Sequence, residues 1–238
     1  MRSGSLTNSI PRPASTNKWG TIMATTLLSV AAAVATFSIL HFSAPHMGPI
    51  SHHMLLHILV MNAVAPLIAW RLRAPRTRTP QFGKVLVAAT SVQIIAIWGA
   101  HIPIVLTATL ASAELHAVSL AVLFVAAIWF WHTVLSARGS KRWQPIIALL
   151  LTGKLFCLLG ILLIFAPRPL YNCPDATICG LASTLQDQQL AGLLMTAACP
   201  LTYVAAGVII AAIWLQELSA SPQLSGHCNF ESASRRSP

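Results

Sequence analysis

Apolar side chains fall in long unbroken runs along this chain, at Ile22–Phe42, His52–Trp70, Lys84–Leu106, Glu114–Ser136, Pro145–Ala166 and Gln188–Leu215, with polar residues gathered between them. Each run has about twenty residues or more, enough at about 1.5 Å rise per residue to cross a hydrocarbon core of about 30 Å. The strands of a membrane β-barrel would alternate apolar and polar residues over about ten positions, and none of these runs does so. The pattern predicts an all-α polytopic membrane helix bundle of about six transmembrane helices over residues 21–216. The flanking tails, 1–20 and 217–238, are rich in Ser, Pro, Arg and Asn and hold too few apolar residues to order themselves.

Composition narrows the class further. Of 238 residues, 55% are hydrophobic and 8% are charged, against about 25% charged in an ordinary soluble domain. Mean hydropathy is +0.70, so a water-soluble globular fold is excluded, as are disordered, collagenous and disulfide-stapled chains. The net charge of +10 acquires meaning only from where the cations lie. Arg2, Arg12 and Lys18 precede the first span; Arg71, Arg73, Arg76, Arg78 and Lys84 follow the second; Arg138, Lys141 and Arg142 follow the fourth; Arg235 and Arg236 end the chain. Thirteen of the fifteen cations thus share one side of the membrane, which the positive-inside rule makes cytoplasmic, with both termini inside. Cations placed this way speak for a lipid bilayer and against a nucleic-acid partner. The first run also satisfies part of a signal-peptide pattern, but its length and the Phe42-Ser43-Ala44-Pro45 sequence after it favour an uncleaved span.

The topology sorts the nine histidines. His41, His46, His52, His53, His57, His101 and His116 fall in outer loops or at the outer ends of spans, whereas His132 and His227 lie elsewhere. Imidazole and thioether side by side, as in His46-Met47 and His53-Met54, suit copper: thioether prefers Cu(I), imidazole accepts either oxidation state, and hard ions would call for carboxylates. His53 and His57 are four apart and share a helix face, Met54 and Met61 share the adjacent stripe, and Ser51 is placed to cap the second span. The alternative for each ring taken singly is an interfacial histidine hydrogen-bonded to carbonyls and headgroups, with the methionines filling gaps. A pair of histidines holding haem is the rival chemistry, and His57 with His101 or His116 would supply it.

Three further features stand apart. Cys173 and Cys179 occupy the last outer loop, where a disulfide, thiolate copper ligation and two free thiols all remain open. Asp187 opens the last span. Lys154 sits near the midplane of the fifth, either reaching toward the interface beside Gly153 and Gly160 or meeting a buried acceptor. Cys157 and Cys199, within spans, read as small apolar fillers.

Taken together, several stretches resemble the CtaG-like family of multi-span cytochrome c oxidase assembly factors: His46-Met47, His53-Met54-Leu55-Leu56-His57, Met61-Asn62 with Ala65-Pro66-Leu67, His101-Ile102-Pro103, Leu115-His116, Leu170-Tyr171-Asn172-Cys173 and Asp187-Gln188-Gln189-Leu190-Ala191-Gly192-Leu193-Leu194-Met195. The resemblance covers roughly residues 40–215 and departs after Met195, where Thr196-Ala197-Ala198-Cys199-Pro200 replaces the family's Trp and Pro-Gly-Gly stretch. It implies a bacterial inner-membrane protein, not an enzyme, that helps build a haem–copper oxidase by handling copper. His46, Met47, His53, Met54, His57, His101 and His116 are then candidate metal ligands. Cys173 and Cys179 would form a redox-sensitive accessory pair. Oxidase subunits, and a periplasmic copper chaperone as the metal's source, are the partners implied. Two other functions stay open: a haem-binding membrane redox protein, and a copper permease with Lys154 and His132 marking its path.

Overall fold

The computed structural model describes residues 47–72, 81–137, 141–171 and 185–220, all helical where regular. The predicted first span, His46, Cys173, Cys179, the N-terminal tail and residues 221–238 lie outside the described residues. Six helices are present among them: α1 (Pro49–Arg71), α2 (Phe82–Ala100), α3 (Pro103–Ala111), α4 (Ala113–Ser136), α5 (Trp143–Phe165) and α6 (Leu185–Ala220). All but α3 are long and apolar enough to span a membrane. The expected third span, Lys84–Leu106, is corrected. It ends at Ala100, because Pro103 lacks the N–H that would continue the ladder and instead starts the short helix α3.

The bundle packs α1 against α4 and α6, α2 against α4 and α5, and α5 along α6. The α5–α6 crossing is the tightest. A Cβ on Gly192 would stand 2.6 Å from the Gly160 carbonyl oxygen, and one on Gly160 would stand 2.9 Å from that of Gly192. Small residues that let backbones meet are how membrane helices gain packing without a hydrophobic driving force. Gly192→Ala is therefore expected to destabilise the bundle by about 1–3 kcal/mol, read as a lower thermal midpoint in detergent. An unchanged midpoint would mean that the two helices separate without penalty.

Below this crossing, Tyr203 is fully buried, with Trp131, Phe156 and Phe130 ring centroids at 5.2, 5.4 and 5.9 Å. Its hydroxyl accepts from Gln93 Nε2. Three threonine hydroxyls inside the spans are satisfied by their own helices, as lipid demands: Thr90, Thr133 and Thr152 each donate to the carbonyl four residues back, at 2.8 Å. α1 departs from α-helical geometry at Val60–Val64, a π-helical turn. Pro66 explains it, since proline cannot donate to the Asn62 carbonyl and its ring crowds that oxygen. Trp131 Nε1 donates to the neighbouring Met61 carbonyl at 2.9 Å.

α6 has 36 residues, about 54 Å of helix, and outruns a bilayer core. Its far end meets the start of α5, where Arg142 pairs with Glu217 at 2.9 Å. Arg71 closes α1, and Lys141 and Arg142 precede α5. His53, His57, His101 and His116 stand at the other end of the bundle, whereas His132 lies near the C-terminal end of α4.

Candidate functional site

The site is built around the beginning of α1. Its N-cap is Gly48, without a side-chain cap, and Pro49 opens the helix. The expectation that Ser51 caps this helix is corrected. Proline, with φ already fixed, starts the helix two residues earlier, and Ser51 lies inside the first turn. The orphan N–H groups of that turn are taken instead by Asp187 in the first turn of α6. Its Oδ2 accepts from Ile50 N at 2.9 Å and its Oδ1 from Ser51 N at 3.0 Å, while Ser51 Oγ donates to the Asp187 carbonyl at 2.9 Å. A carboxylate at a helix N-terminus is also favoured by the helix dipole. Gly48 is required here, because a Cβ would run into the Asp187 carboxylate.

The next two residues complete the tie. Gln188, fully buried, donates from Nε2 to the Leu163 carbonyl at 3.1 Å and accepts from Leu170 N at 2.7 Å through Oε1. Gln189 donates to the Ile164 carbonyl at 3.4 Å. The Asp-Gln-Gln run thus fastens the start of α1, the end of α5 and the following loop to one helix.

Four histidines converge beside this tie. His53 and His57 stand on one face of α1 with ring centroids 3.9 Å apart. His116, in the first turn of α4, brings its Nε2 to 3.3 Å from His53 Nδ1, and His101, at the C-terminal cap of α2, has its ring centroid 5.6 Å from that of His57. Ser112 caps α4 by accepting from Leu115 N, which fixes the turn that carries His116. Tyr171 donates to the His101 carbonyl at 3.1 Å. Burial pushes the Tyr171 phenol up to about 12, so it remains a donor.

His101 is the most informative ring. Its Nδ1 lies 2.6 Å from the Ile97 carbonyl oxygen, so that nitrogen carries the proton, and in the neutral ring Nε2 bears a lone pair. Nε2 stands 3.0 Å from Met54 Sδ. Sulfur also offers only lone pairs, so no hydrogen lies between two neutral groups placed this way. Elsewhere in the cluster His53 Nε2 and both ring nitrogens of His57 are buried without a hydrogen-bond partner, an expensive arrangement in an apolar interior. Among the described residues no three His, Cys, Asp or Glu side chains form a closed metal cage. The donors come instead as pairs, His101 with Met54 and His53 with His116.

A cavity of about 10 Å³ lies under the rings, room for about one water-sized guest. Met54, His57, Met61, Asn62, His101 and Cys199 are among its walls. Met47 is half-buried just ahead of α1, and Lys154 is exposed on the flank of α5, away from the cavity walls. Several contributors escape sequence reasoning. Tyr171 and Gln188 hold the histidine end together, and Asn62, Met195 and Cys199 line the cavity. Tyr171, Gln188, Asn62 and Met195 carried a signal only as members of motif stretches, and Cys199 carried none.

In comparisons with known proteins, the family described as cytochrome c oxidase caa3 assembly factor (Caa3_CtaG) matches residues 11–217. No curated protein and no solved structure matches the chain.

Proposed function

The chain belongs to the cytochrome c oxidase caa3 assembly factor family, and on that premise we propose that it holds copper at the histidine end of the bundle and passes it to a nascent oxidase subunit. The observation that supports this is the contact between His101 Nε2 and Met54 Sδ, two lone-pair donors facing each other at 3.0 Å. Donor atoms bound to one metal at about 2.0–2.3 Å stand about 2.8–3.8 Å apart for angles between square and tetrahedral. The His101–Met54 and His53–His116 separations, 3.0 and 3.3 Å, fall in that range. Nitrogen and thioether together select copper over hard ions. Paired donors also suit a carrier, because a recipient displaces ligands one or two at a time. By the positive-inside rule the histidine end faces outward, where a periplasmic copper chaperone would load it and the oxidase would receive the ion, in a bacterial inner membrane. Ligand exchange breaks no covalent bond, so the reading is non-enzymatic, in keeping with an assembly factor.

The rival readings fit less well. Two imidazoles trans across a haem iron place their nitrogens about 4 Å apart, wider than the His53–His116 pair, and the cavity admits an ion and not a macrocycle. For a permease, Lys154 stands on the outer flank of α5, and the polar groups of the cluster collect at one end. The detergent-purified chain is expected to carry at least one copper by elemental analysis and no Soret band. A metal-free protein, or one with a Soret absorption, would sink this assignment.

A further inference from the structure

The cavity wall below His57 holds soft donors that the outer cluster does not use. Met61, Met195 and Cys199 are 2, 2 and 3% exposed, and all three line the same cavity of about 10 Å³. They come from two helices, α1 and α6, and Met61 is delivered by the π-helical turn. Two buried polar groups on the same wall lack partners: both ring nitrogens of His57, and Asn62 Oδ1. Asn62 uses its amide to donate to Cys199 Sγ at 3.5 Å, which stabilises charge on sulfur. A wall of thioethers alone would be ordinary apolar filling. A thiol in polar contact, beside an imidazole with no hydrogen bond at either nitrogen, is not.

We propose that this cavity is a second, inner station for one Cu(I) ion, bound by the sulfurs of Met61, Met195 and Cys199 and reached through His57. This rests on the reading of the histidine end as a copper site and adds a position to it. The ligand set is soft and selects Cu(I) among the biological metals. Binding exchanges the Cys199 thiol proton, released to water at the histidine end, for a monovalent cation. The net charge of the cavity is unchanged, so the apolar interior bears no uncompensated charge. A divalent ion would leave one positive charge among Ile58, Ile97 and Phe156 and is disfavoured there. His57 borders both the ring cluster and the cavity and is the bridge between the two positions.

The test is anaerobic titration of the full chain in detergent with Cu(I), supplied as its acetonitrile complex against a chromophoric Cu(I) chelator, followed by copper X-ray absorption. The wild type is expected to bind two Cu(I) per chain, with sulfur in the first shell. Met61→Leu/Met195→Leu/Cys199→Ala, which keeps the wall apolar and close to its original volume, is expected to bind one, with most sulfur scattering gone. His53→Ala/His116→Ala is expected to bind one and to keep the sulfur. One Cu(I) in the wild type, unaffected by the inner substitutions, overturns the inner station and leaves the outer site standing. One Cu(I) that disappears with the inner substitutions and survives the outer ones supports the station and removes the outer site. No Cu(I) binding overturns both. As a check independent of variants, Cu(I) is expected to slow maleimide labelling of Cys199 in the wild type at least tenfold, read by peptide mass spectrometry. Equal labelling with and without Cu(I) counts against the station.

Discussion

In copper-limited cells, replacing His53 and His57 together with alanine is expected to cut assembled caa3-type oxidase at least tenfold, with the variant itself still inserted at wild-type abundance. The expectation follows from where the rings stand. His57 lies between His53 and His101, and His53 makes the contact to His116. Removing both empties the centre of the cluster and leaves His101–Met54 as an isolated pair. Abundance should hold because the two rings have few structural hydrogen bonds to lose: three of their four ring nitrogens have no partner. Supplying excess copper should restore part of the oxidase, since a low-affinity route then suffices. The readout is oxidase content by difference spectra of membranes across a copper series. Wild-type levels of oxidase in the double variant at the lowest copper would remove the histidines from the function.

Asp187→Ala is expected to be the most destabilising single substitution in the described residues outside the α5–α6 crossing. Its carboxylate takes two backbone N–H groups of α1 at 2.9 and 3.0 Å in a nearly solvent-free position, 7% exposed. Hydrogen bonds to a charged acceptor contribute about 1.5–3 kcal/mol each, so losing both costs about 3–6 kcal/mol. Asp187→Asn keeps one acceptor oxygen and is expected to lose roughly half as much. The measurement is the thermal midpoint in detergent, together with copper content. Asp187→Ala should lose copper, because the start of α1 that carries His53 is then untied. A stable variant that lacks copper would instead place Asp187 at the metal.

Much of the fold was legible because lipid leaves a chain few options. Runs of about twenty apolar residues have to be helices, although the third run reads through Pro103 where the helix in fact stops at Ala100. The topology read from the cations put His53, His57, His101 and His116 at one end of the bundle, and the structure brings these four rings together there, as polar groups inside a membrane concentrate where water or a ligand is near. What escaped was everything that depends on partners distant in sequence. Ser51 looked like a cap because its local context fits one. The actual cap, Asp187, lies 136 residues away, and no local pattern announces it. Cys199 reads as a small buried filler, and its contact with Asn62, 137 positions away, is not visible in the local sequence. The pairing of His101 with Met54 depends on the crossing of α1 and α2, which periodicity does not reveal.

The reach of the Asp187 tie also sets a timetable. Ile50 and Asp187 are 137 positions apart, and a ribosome adding about 5–20 residues per second makes the second about 7–27 s after the first. Through that interval the start of α1 sits in the bilayer with its leading amides unclaimed, and the histidine end has no fixed shape. It closes only when α6, the last of the described helices, arrives. The four rings therefore gain their arrangement only once α6 has been made, and a product truncated before α6 would carry all four histidines without it.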